Sequence, residues 1–190
     1  MPPELPPLAT PSSTASAKPP SAAASGSAAP SSPRPELEWK APEAWRFLGS
    51  PSMGSTKAHY YALEEATGGG PPEHVNVYVT QVATANGSTP GERVHDLVQH
   101  EGETFTRVTS KEVTTRDVSG HPLTVVELAG TRREAASENE TVERPDRAQI
   151  AVLVPAKVPY RIVIGGRRDL VERCRGSFFE FVDSLRLHED

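Results

Sequence analysis

The chain has 190 residues, with 20 Lys and Arg against 25 Asp and Glu, a formal net charge of -5, 19 prolines and a single cysteine. An acidic chain with no Lys/Arg cluster lacks the electrostatic footprint that phosphate backbones demand, which argues against a nucleic-acid partner. No apolar run approaches the roughly 18 residues of a transmembrane segment, and one cysteine excludes an intrachain disulfide and a Cys-based zinc site.

Residues 1–35 hold 10 of the 19 prolines, and Pro, Ser and Ala fill 26 of these 35 positions. With almost nothing apolar to bury, such a segment cannot offset an ordering cost of roughly 1–2 kcal/mol per residue, and it reads as a disordered, semi-extended linker. Its charges are Glu4, Lys18 and Arg34, which leaves 18 basic and 24 acidic residues in the remainder. Met1 is followed by Pro2 and Pro3 without a basic n-region or an apolar h-region, so no signal peptide is read there.

A single α+β domain is expected over 36–190. Leu37 to Pro42 reads as a short strand entering a turn, with Trp45 and Phe47 as core anchors. Ala58 to Leu63 reads as a strand, followed by a hairpin loop at Gly68-Gly69-Gly70-Pro71-Pro72. In the next strand Val75, Val77 and Val79 alternate with Asn76, Tyr78 and Thr80, a period of two that sends one set to a core.

Thr89-Pro90-Gly91-Glu92 has the form of a capping box with Pro at the first helical position, and it predicts a helix over about 90–101 with Val94, Leu97 and Val98 on one face. Phe105 to Val118 is Thr- and Val-rich, suiting a strand pair or one long bent strand, and Gly120-His121-Pro122 separates it from Leu123 to Leu128. Residues 132–147 are densely charged and read as an exposed flap. Its Arg132, Arg133, Arg144 and Arg147 are the candidate partner-binding residues.

Ala148 to Val154 and Tyr160 to Ile164 read as a central hairpin. Leu170, Val171, Cys174, Phe178, Phe181, Val182 and Leu185 recur at helical spacing and predict a terminal helix over about 168–187. Strands in hairpin order with one early and one terminal helix point to an α+β fold, an antiparallel β-sheet covered by helices rather than a parallel, nucleotide-binding sheet.

Catalytic signatures are sparse. His95 and His100 are five residues apart, about 140° around a helix, whereas helical zinc pairs need i,i+4. There is no G-x-S-x-G elbow, and the Gly68-Gly69-Gly70 run precedes a strand rather than a helix, so it is no phosphate loop. Cys174 lies between Arg173 and Arg175, cations that could activate a thiol, but it belongs to the apolar stripe and reads as a core residue. No catalytic residue, cofactor or metal ligand is assigned.

The opening Trp39-Lys40-Ala41-Pro42-Glu43-Ala44-Trp45 is similar to the W-x-x-P-x-x-W start of many PsbP/Mog-like bacterial envelope lipoproteins of the DcrB type. Gly165-Gly166, followed by a helix closing on Phe178-Phe179-Glu180-Phe181-Val182-Asp183-Ser184-Leu185-Arg186, resembles the family's C-terminal F-x-x-F-x-x-S-[LI] helix. The resemblance runs over 37–187 and departs at Arg161-Ile162-Val163-Ile164, where bacterial relatives often carry a Lys. It implies an α/β/α sandwich that works by binding, as in envelope lipoproteins, photosystem accessory proteins, Ran-binding proteins and secretion-effector chaperones, among which fold does not choose. The sparse catalytic signatures and the Pro/Ser/Ala tether point to a binding or accessory domain, not an enzyme, held in the periplasm or cell envelope near a protein or envelope component. The alternatives are a cytoplasmic chaperone or adaptor for a secreted client, which needs an exposed apolar patch, and an enzyme whose site assembles only in three dimensions.

Overall fold

The computed structural model describes residues 37–50, 52–53, 56–65, 74–82, 89–137, 139–156 and 158–188. The linker expected over 1–35 and the glycine-proline loop at 68–72 lie outside them. Pro35–Asp190 fold together as one unit.

The architecture is a mixed α+β sandwich. Its main sheet is antiparallel and runs in the order β2 (Arg46–Gly49), β4 (Thr56–Glu65), β5 (His74–Gln81), β9 (Tyr160–Arg167), β8 (Glu140–Val154), β7 (His121–Ser137) and β6 (Phe105–Val118). The short β3 (Ser52–Met53) pairs with β4. A separate two-stranded ribbon joins β1 (Leu37–Glu38) to β10 (Arg186–Leu187), with His188 Nε2 and Glu38 Oε2 3.0 Å apart beside it.

Each sheet face has its own apolar layer. On one, α2 (Arg168–Asp183) lays Leu170, Val171, Cys174, Phe178, Phe181 and Val182 onto Val75, Val77 and Val79 of β5 and Ile150, Ile162 and Ile164 of β8 and β9. On the other, Val94, Leu97 and Val98 of α1 (Pro90–His100) pack against Phe105, Val126, Leu128, Ala151, Leu153 and Val163. Both helix faces follow the apolar spacing of the sequence, and the Cys174 side chain is buried, as its place in that stripe predicts.

Local chemistry accounts for the ends of the elements. Thr89 Oγ1 accepts from the Glu92 N–H, and the Glu92 carboxylate accepts from the Thr89 N–H at 2.8 Å, so the capping box is complete. Between β6 and β7, Ser119 and Gly120 both have positive φ, 55° and 85°. That is the arrangement a two-residue hairpin turn needs to match strand twist.

Several expectations change. Phe105–Val118 is one long strand with register shifts near its start, so the single bent strand is the form found. The terminal helix stops at Asp183, because Leu185 packs into the core and the chain then turns to form β10. Phe47 is no core anchor: at 54% exposed it lies on edge strand β2 with its ring beside those of Tyr61 and His59, while Trp45 is buried against Phe181.

The flap expected over 132–147 is the outer part of the β7–β8 hairpin, with Arg132 opposite Arg144, Arg133 opposite Glu143 and Glu134 opposite Val142, and most of its described residues are exposed. An antiparallel ribbon satisfies its backbone internally and can leave both faces polar, so dense charge did not preclude strand. Arg147 departs from the expected exposure; it is 7% accessible.

Candidate functional site

α1 has 11 residues and so spans only ~16 Å. It packs over part of its sheet face, against residues of β6, β7, β8 and β9, and among the described residues no other helix lies on that face. In the uncovered part is a basin of about 380 Å³, bordered by β5, β9, β8 and the β7–β8 hairpin.

Strand alternation brings its lining together. Because Val75 and Val77 face α2, His74, Asn76 and Tyr78 must face the other way, into the basin. Gly165 lies opposite both Asn76 and Gln149, and Gly165 and Gly166 form a floor without side chains. The Arg132 guanidinium occupies the space so freed, since a Cβ on Gly165 would come within 3.2 Å of its Nη1. The same guanidinium is 5.9 Å from the centre of the Phe105 ring.

A bulge in β8 sets the arginines. Thr131 is the one residue between Gly130 and Arg132, whereas Pro145 and Asp146 intervene between their partners Arg147 and Arg144, and Asp146 takes φ 55°. Four arginines line the basin: Arg132, Arg133, Arg147 and Arg167. Among the described lining residues Glu134 is the one acid, and its Oε1 is 3.1 Å from Arg147 Nε. Arg167 is held from outside by Asp169, through Nε–Oδ1 at 2.5 Å and Nη2–Oδ2 at 2.6 Å.

Two cross-strand pairs, Arg132 with Arg144 and Arg147 with Arg167, set like charges directly opposite one another. Such pairs are destabilising by themselves. Burial raises the Tyr78 phenol above its ordinary value of 10.0, and the Arg132 charge opposes that rise. Arg132 Nε and His74 Nδ1 are buried without a hydrogen-bond partner among the described residues.

Of the four arginines expected to meet a partner, the structure brings Arg132, Arg133 and Arg147 to this basin. Arg144 is exposed and does not line it. Burial alternates along the ribbon, with Arg132 and Glu134 half-buried and Arg133 and Ala135 exposed, so the Arg133 side chain leaves by the opposite face and only Arg132 and Arg147 turn inward. Sequence reading missed His74, Tyr78 and Arg167. The valine alternation of β5 already implied where His74 and Tyr78 point; nothing in the sequence linked Arg167 to Arg147.

Among the described residues no group of three His, Cys, Asp or Glu could hold a metal ion. None of the described helices is long and apolar enough to cross a membrane. No family model matches the chain, and no curated protein matches it.

Proposed function

We propose that this chain is a non-catalytic binding domain of the bacterial cell envelope, PsbP/Mog-like in fold, and that the arginine basin is where it takes hold of an anionic group. The observation that carries this reading is the gathering of Arg132, Arg147 and Arg167 at one cavity with Glu134 as the one acid among its described lining residues, Arg147 and Arg167 standing directly opposite each other in the sheet register, in a domain that is acidic as a whole. An anion placed there relieves the repulsion, and a partly enclosed site strengthens the attraction. The envelope assignment rests on the family resemblance and the Pro/Ser/Ala-rich segment 1–35. The non-catalytic assignment rests on the sparse catalytic signatures of the sequence.

The chaperone alternative asks for a contiguous apolar surface. The exposed large apolar side chains among the described residues are Phe47 and Leu48 on β2 and Val108 and Val113 on β6, strands at opposite edges of the sheet. That arrangement favours the basin over an apolar client.

Amide NMR titration with sulfate, acetate and citrate tests the anion site. Shifts are expected at 74–78, 130–134 and 165–167, weakening as sodium chloride is raised. Shifts absent, or spread evenly over the surface, would remove the site. Fractionation of the host's cells tests the location, and recovery wholly in the cytosol would overturn it.

A further inference from the structure

Within the basin, resting on the anion-binding reading above, the guanidiniums are unequally neutralised. Three guanidiniums turn inward or border the cavity: Arg132, Arg147 and Arg167. Arg167 is engaged by Asp169, and Arg147 lies against Glu134. Arg132 alone of the three has no carboxylate at ion-pair distance among the described residues, and its Nε has no acceptor among them, while Arg147 Nε lies 3.1 Å from Glu134 Oε1 without meeting it in hydrogen-bond geometry. A buried donor left unmet is costly, and the planar fork of an arginine fits one carboxylate through two parallel bonds.

The geometry points to a ligand with a single carboxylate, anchored by Arg132 over the Gly165 floor, and to Glu134 as the residue that sets this selectivity. Glu134 stands in for a second ligand charge at Arg147. A dianion such as a phosphomonoester must either displace it or share the cavity with it, and like charges in a partly enclosed site repel. A cavity of about 380 Å³ exceeds a bare carboxylate and leaves room for an organic body beside the Tyr78 ring.

Benzoate and phenyl phosphate are a matched pair of probes, differing mainly in the anionic head. Calorimetric titration of the full chain is expected to show benzoate binding more tightly. Glu134→Gln should reverse the preference, improving phenyl phosphate about tenfold or more. Arg132→Gln should weaken both ligands about tenfold, Arg132→Lys should fall between because it keeps the charge but loses the fork, and Arg186→Gln, on β10 and outside the basin lining, should change neither more than about twofold. Melting curves of each variant separate lost affinity from lost fold, and the Lys variant keeps the test decisive if the Gln variant unfolds.

Phenyl phosphate binding the wild type as tightly as benzoate would overturn the carboxylate assignment and leave the anion site standing. An unchanged preference in Glu134→Gln would overturn the role of Glu134. If neither probe binds at millimolar concentration, this inference fails; if sulfate, acetate and citrate also shift no basin amide, the anion-binding reading fails with it.

Discussion

Arg161 on β9 reaches Glu101 at the C-terminal end of α1 and holds it with two guanidinium nitrogens, one of them Nη2 at 2.8 Å from Oε2. Gln149 donates to the same carboxylate at 2.7 Å. The Glu101 side chain is 1% exposed and that of Arg161 31%, so the partners are unequally placed. Removing Arg161 strands a buried carboxylate, whereas neutralising Glu101 leaves a guanidinium that water can reach. Arg161→Ala should therefore cost about 3 kcal/mol or more, and Glu101→Gln nearer about 1 kcal/mol. Urea unfolding of both variants measures the difference, and equal losses would contradict the asymmetry.

The same network shows what could be read in advance. Period-two valines, the Thr89 capping box and the apolar stripe of the last helix announce themselves because each is a local pattern with one solution. Arg161, Glu101 and Gln149 are 12 to 60 residues apart and meet only after β8, β9 and α1 have stacked, and no spacing rule joins them. The basin is an intermediate case. Its arginines on β7 and β8 stood out as a charged run, but their burial depends on a bulge at Asp146 and on glycines two strands away. Phe47 failed for the opposite reason: an aromatic next to a turn satisfies the pattern of a core residue, and only the position of β2 at the sheet edge exposes it.

Two glycines of that region should respond differently to alanine. A Cβ on Gly130 would meet the Arg107 carbonyl oxygen at 2.0 Å, a backbone atom held in the β6–β7 ladder. Gly130→Ala should destabilise the domain by at least about 2 kcal/mol, since strand pairing must shift to admit it. At Gly165 the nearest obstacle is the free end of the Arg132 side chain. Gly165→Ala should fold with a near-normal melting temperature yet lose anion affinity, because Arg132 is displaced from its seat. Thermal melts paired with a benzoate titration read both effects, and a Gly165→Ala protein that binds as well as wild type would show that Arg132 needs no glycine floor.

Asp169 should make an acid-sensitive contribution to stability. Asp169, in the first turn of α2, is held down to about 2 from an ordinary 3.8, chiefly by the hydrogen bonds from Arg167, with further help from the Arg167 charge, the Leu170 N–H and Arg173. Arg116 lowers Asp183 in the same direction. A carboxyl whose folded pKa lies below its unfolded one stabilises the fold above the unfolded value, and loses that contribution as pH falls through the folded one. The stability gap between wild type and Asp169→Asn should thus be full at about pH 6, shrink below about pH 4 and vanish only below about pH 2. Because both partners are substantially exposed, raising the salt to about 1 M should narrow the gap at pH 6 as well. A gap that stayed constant from pH 6 to pH 2 would mean that Asp169 titrates alike in the folded and unfolded chain, and that its hold on Arg167 adds nothing to acid stability.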